Sequence, residues 1–317
     1  MNSTKARTKL DIATIALISI WFSLLFTINF IFSKNESELI FRGIDDVAFQ
    51  IVLKNAHTAL DQENFAQVFS MNDYAYGWLF WIVNTLATYP VHSLIQNIDN
   101  ETTLAQIAET AIFVIPRQIS LVATAAGIAI WMLIYRKISN GSKWINVFVC
   151  VVVLCSPVIV YVGTKFHPSS FLLLLSAICF YFLLEFYEAV HLNKNSEAIR
   201  SFLIMFFSFA LAVAVKINIV FLGVVFIPVL FYAIKSKVLI GFIPRSLLKI
   251  TAISILASFA ASPLLLWQFF SGSVPTYVQL IQFQTSKAGD TRVDFEKFIE
   301  NIKIGLGSNT FDWSIIL

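Results

Sequence analysis

Seven stretches of this chain, 12–32, 119–135, 144–162, 171–190, 202–215, 217–234 and 247–270, are apolar and nearly free of charge. About 20 such residues in a helix cross the hydrocarbon core of a bilayer. Composition agrees: 58% of the 317 residues are apolar and 13% are charged, against about 45–50% and about 25% in an ordinary soluble domain. A water-soluble fold cannot hide that much apolar surface, so lipid must cover it. Phe is the extreme count at 31, and its rings suit acyl-chain contact and dense packing between helices. The expected fold is all-α, a polytopic transmembrane helix bundle of about seven spans. The first run is too long for a cleaved signal, and no small-residue cleavage site follows it, so it reads as an uncleaved first span.

Charge placement orients the bundle, because Lys and Arg are retained on the cytoplasmic side. Seven spans with the N-terminus inside put twelve of the 22 basic residues in short inner segments, among them Arg136, Lys137, Lys143, Lys194 and Lys235. The first outer loop, 34–116, then carries three basic and ten acidic residues. An aromatic patch at 74–94 (Tyr74, Tyr76, Trp78, Phe80, Trp81, Tyr89) is the ambiguous element. Counting it as an eighth span would push Arg136, Lys137 and Lys143 outside. It therefore reads as a helix lying in or dipping into the outer interface, where Trp and Tyr gather, and Pro90 opposes a straight crossing. The organisation is a membrane domain over 1–270, with amphipathic juxtamembrane helices in its first outer loop. A second outer segment begins at 271 and runs to 317.

Cys150, Cys155 and Cys179 lie in apolar runs and behave as small hydrophobes, with neither a disulfide framework nor metal-ligand spacing. There are no internal repeats, no Gly-rich phosphate loop and no basic patch suited to nucleic acid. Chemistry is sought at the ends of the spans. Asp45 and Asp46 are adjacent carboxylates just beyond the first span. Either could act as a general base or cap a helix start. On a helix, Asp45 shares a side with Phe49, Val52 and Ala56, and Asp46 with Gln50, Leu53 and His57. His167 stands in a short outer turn, Lys165-Phe166-His167-Pro168, as a site residue or as a solvated loop histidine. Lys216 divides two apolar runs and could hold a lipid phosphate or snorkel to a headgroup. Arg117 opens the second span on the outer side against the charge bias, which suits an anionic ligand or an ion pair with the acidic loop. Gln282, Gln284, Lys287 and Arg292 follow the last span, and the two cations suit a phosphate.

The order of these features resembles the GT-C superfamily of membrane glycosyltransferases, in the branch of protein O-mannosyltransferases and the aminoarabinose transferase of lipid A. Asp45-Asp46-Val47-Ala48-Phe49 is similar to the acidic motif that opens the first outer helix. Tyr76-Gly77-Trp78-Leu79 resembles the juxtamembrane Tyr-Gly-x-Leu segment, and Arg117-Gln118-Ile119 the Arg-led start of the second span. Val215-Lys216 stands at the family's Thr-Lys turn with Val for Thr, and Ser262-Pro263 through Gln284 resembles the last span and the Gln/His-bearing stretch beyond it. The resemblance implies a sugar carried on a polyprenyl phosphate and transferred, with inversion, to a glycan, lipid or protein acceptor. The active face would be periplasmic or extracellular, on a bacterial plasma membrane. It implies Asp45 as base with Asp46 as support, and Lys216, Arg117 and Lys287 as phosphate ligands. His167, His57, Gln282 and Gln284 become candidates for the acceptor or second loop. No cofactor is expected: His167-Pro168 stands where relatives often carry a carboxylate, which argues against a metal. Relatives continue past the point where Leu317 stands, so a fragment or a minimal form is expected. The competing expectation is a lipid or small-molecule transporter or flippase, whose marks would be paired broken spans and mid-membrane charges.

Overall fold

The computed structural model describes residues 10–32, 44–64, 68, 78–98, 103–139, 142–216, 224, 227–228 and 231. All belong to the first of the two units into which the chain divides, Met1–Pro263 and Leu264–Leu317. The runs 217–234 and 247–270 therefore lie almost wholly outside the described residues, as does 271–317 with Gln282, Gln284 and Lys287. The described elements are α-helices: α1 Ile12–Phe32, α2 Ile44–Asp61, α3 Trp78–Gln96, α4 Thr103–Ser139, α5 Lys143–Leu154, α6 Pro157–Thr164, α7 Ser169–His191 and α8 Asn195–Val215. Four of them, α1, α4, α7 and α8, are long and apolar enough to cross a membrane, or five spans if α5 and α6 form one bent crossing. Helix α3 is not among them.

Successive spans reverse direction. At one end, Asp11 caps α1 by accepting the Thr14 N–H at 2.8 Å and lies within electrostatic reach of Arg136 near the end of α4. Lys137 there donates to Glu185 at 2.6 Å and pairs with Glu188 at 2.9 Å, both near the end of α7. At the opposite end, Gln118 of α4 donates to the Phe26 carbonyl at 3.0 Å and Asn29 of α1 donates to the Gly163 carbonyl at 3.2 Å. We call the first the basic end and the second the rim.

Helix α8 starts at Asn195, seven residues before the run 202–215, and two departures from the sequence outline are larger. Helix α4 starts at Thr103 rather than 119 and takes up part of the expected outer loop. Its 37 residues amount to about 55 Å, well beyond a hydrocarbon core of about 30 Å. The run 144–162, expected to be continuous, is broken between Leu154 and Pro157 with a 61° bend. Pro157 has no N–H to donate backward, and its ring opposes a preceding helical turn. In an unbroken helix the Leu154 carbonyl would be bonded from residue 158; here Trp21 Nε1 of α1 donates to it at 3.0 Å. An open carbonyl in lipid costs several kcal/mol, which is why α1 must supply these donors. The closeness needs Gly163, where a Cβ would stand 3.0 Å from the Trp21 ring and 3.3 Å from Leu121. Helices α4 and α7 approach as closely: a Cβ on Gly127 would lie 3.0 Å from the Leu174 backbone nitrogen.

Candidate functional site at the rim

The rim is closed by an apolar plug. Phe166, Phe80 and Trp81 are fully buried. Phe80 stacks on Phe166 at 4.9 Å and meets Phe171 edge-on at 5.6 Å. Trp81 meets Phe166 edge-on at 6.1 Å. Leu53 of α2 and Val215 of α8 belong to the same cluster. The plug thus joins α2 and α3 to the mouth formed by α7, α8 and the 165–168 turn.

Cations sit beside it. Arg117 lies one turn beyond Leu121, the α4 residue that touches Gly163, and is only 4% exposed. Lys165 follows Gly163 by two residues and is 8% exposed. Lys216 ends α8 in extended conformation, half-buried, with its backbone N–H on the Ala212 carbonyl at 3.0 Å. Arg117 and Lys216, the two cations that the sequence singled out here, thus lie at the rim end of α4 and α8, and Lys165, noticed only as part of a turn, lies at the rim end of α6. Below Arg117, Ser120 and Thr124 continue one buried polar stripe at helical spacing on α4.

His167 is tied into its own turn. Its ring Nδ1 accepts the Ser169 N–H at 3.2 Å, and its carbonyl accepts the Ser170 hydroxyl at 2.9 Å. The ring helps start α7 while standing half-buried at the mouth. Asp45 and Asp46 occupy the first turn of α2; their side chains lie outside the described residues.

Helices α2 and α3 run in the same direction away from the plug: Leu53 shares the cluster with Phe80 and Trp81, His57 meets Thr88, and Asp61 meets His92 and Gln96. His57 is thus about 18 Å along α2 from Asp45, twelve residues at 1.5 Å each, and not beside it. It is 2% exposed. The Thr88 hydroxyl already donates to the Asn84 carbonyl at 2.7 Å, so it accepts from His57 Nε2 at 2.8 Å, and the neutral ring carries its proton there. His57 stacks on His92 at 4.6 Å. Burial, and then the neighbouring His92, push His57 down to about 4; the Thr85 backbone and Asp61 pull the other way. Asp61 accepts from Tyr89 at 3.1 Å, His92 at 2.9 Å and Gln96 at 2.8 Å. The His92 bond first, then Gln96, hold its carboxyl below the usual range. An ionised carboxylate only accepts, so His92 Nε2 is the donor here.

Of this second cluster only His57 was a site candidate from the sequence, and Tyr89 stood out only as part of the aromatic patch. Tyr89, His92 and Gln96 do fall at i, i+3 and i+7 on one face of α3, a spacing that could have suggested a shared partner. No protein family matches this chain, and neither a curated protein nor a solved structure does.

Proposed function

We propose that the chain is the membrane part of a glycosyltransferase that moves a sugar from a polyprenyl phosphate to a glycan, lipid or protein acceptor at the rim. The observation that supports this is that Arg117, Lys165 and Lys216 stand buried or half-buried at the rim, where Phe166 and Val215, next to two of them in the chain, share the plug with Leu53 of α2, the helix that also carries Asp45 and Asp46. Cations sheltered from water bind phosphate oxygens more strongly than exposed ones do. In this reading a carboxylate of the α2 turn takes the acceptor's hydroxyl proton. The acceptor oxygen bonds to the anomeric carbon from the far side. The carbon–oxygen bond to the phosphate breaks, and its electron pair leaves with the phosphate, held by the cations. Seven spans, with the N-terminus on the cytoplasmic side of a bacterial plasma membrane and the rim outside, belong to the same proposal.

The broken α5–α6 crossing favours a second reading, a lipid or small-molecule transporter, since transporters bind substrate at discontinuous helices. Against it, the Leu154 carbonyl at the break is taken by Trp21, and Asn29 takes the Gly163 carbonyl near the end of α6, so both halves are tied to α1. Purified protein offered a set of defined polyprenyl-phosphate sugars and acceptors tests the choice. Transfer is expected from at least one donor, and Asp45→Asn should lower it by about 10²–10⁴-fold. Lys216→Ala should weaken donor binding by roughly 10- to 150-fold, the equivalent of one charge-assisted hydrogen bond. Translocation of the donor across proteoliposomes without transfer would favour the transporter. Full activity in both Asp45→Asn and Asp46→Asn would overturn the proposed centre.

A further inference from the structure

We propose that the His57–His92 stack and the Asp61 clasp form an acid-operated latch that holds α2 against α3 at neutral pH and releases it as the surrounding medium acidifies. The inference goes beyond sugar transfer and does not rest on it.

Three features make the seam a latch rather than a simple contact. First, α2 is fastened to α3 through polar groups at two successive turns: His57 to Thr88, and Asp61 to Tyr89, His92 and Gln96. Second, the upper fastening is buried and the lower one is open, so water reaches Asp61 and His92 before it reaches His57. Third, the groups facing His57 do not offer a free acceptor for a positive charge inside the seam. From α3 these are His92, stacked at 4.6 Å, and Tyr89, at 6.2 Å. From α2 the facing charge is Asp61, and its carboxylate is already engaged by three donors. Lys54 on α2 and Glu63, two residues beyond its end, are exposed.

The sign follows from where the proton goes. The closed seam refuses a proton on His57 until about pH 4, whereas a histidine in water accepts one near 6.5. The closing contribution of His57 is therefore complete above about pH 6.5 and is lost as pH falls from there to about 4. One such group weakens closing by up to roughly 300-fold across that window, the ratio set by the two proton affinities. Asp61 acts in the same direction further down: its bonds favour closure above the ordinary carboxylate range and are lost as it protonates. Because α2 also carries Asp45 and Asp46 in its first turn, release would move that carboxylate pair relative to the rim.

The test is a distance between nitroxide labels at Lys54→Cys and Leu86→Cys, two exposed positions on α2 and α3. The chain is held in nanodiscs, with Cys155→Ala removing the exposed native thiol. We expect one narrow distribution at pH 7.5 and a second, longer population at pH 4.5. In His57→Gln, which keeps a donor for Thr88 and does not titrate, the distribution should stay narrow at both. An unchanged distribution at pH 4.5 in the parent, or the same acid opening in His57→Gln, overturns the latch. Should His57→Gln be open already at pH 7.5, His57→Phe keeps a flat ring against His92 and is judged by the same criterion.

Discussion

The seam between α4 and α7 and the seam between α2 and α3 are built from opposite materials. The first is a close approach of two backbones at Gly127, with Leu173 and Leu174 against it. The second is a ladder of side-chain hydrogen bonds, from His57–Thr88 to Asp61 and its three donors. Between lipid-facing helices there is no gain from hiding apolar surface, so fit and small residues must hold the pair. An open carboxylate accepting three bonds, by contrast, has its outer side in water. The change of material occurs across the aromatic plug of Phe80, Trp81 and Phe166, which separates the helices apolar enough to cross a membrane from the polar ladder of α2 and α3.

The comparison can be broken most severely at Gly127. Gly127→Val puts methyl groups where backbone atoms of Leu173 and Leu174 stand, and neither can rotate away. The loss should reach or pass the upper end of about 1–3 kcal/mol for overpacking. It would be read as a lower denaturant midpoint in mixed micelles, unchanged between pH 7.5 and 5. A midpoint equal to the parent's would mean that α4 and α7 are not so close. A smaller effect is expected of Trp21→Phe, which keeps a ring but leaves the Leu154 carbonyl without its donor, for about 1–2 kcal/mol. If that variant is as stable as the parent, the break is satisfied some other way. The smallest is Tyr89→Phe, which removes one of the three donors to Asp61 at an open position. Bundle stability should not move, while amide exchange in the last turn of α2 should quicken at neutral pH. A fall in bundle stability instead would show that the two seams are not separate.

Hydropathy outlines the lipid-facing part of this fold well, because lipid contact is itself a property of composition. The run 12–32 coincides with α1, and 171–190 lies within α7 by one or two residues at each end. Composition does not mark where a helix stops, so α4 extends sixteen residues before the apolar run at 119. Nor does it register the break before Pro157, since an apolar run scores the same with or without a missing N–H. Trp21 looks like any lipid-facing aromatic until α1 is laid beside α5. At the rim, Arg117 and Lys216 were legible because a charge next to an apolar run is conspicuous. Lys165 was hidden by its place in a turn, where a lysine is ordinarily solvated. His92 and Asp61 could be paired only by knowing that α2 and α3 run in the same direction.

The hydrogen bonds from Trp21 and Asn29 to Leu154 and Gly163 also impose an order on biogenesis. In a chain made from its N-terminus, α1 enters the membrane well before α5 and α6 emerge. If α5 and α6 cross as one bent span, their break carries backbone that lipid will not solvate, so they cannot settle alone. They can be accepted only alongside a helix already waiting with an indole and an amide at the right heights. Helix α1 thus serves its later neighbour as a template for insertion, and a defect in it would first be felt as a failure of residues 143–164 to integrate.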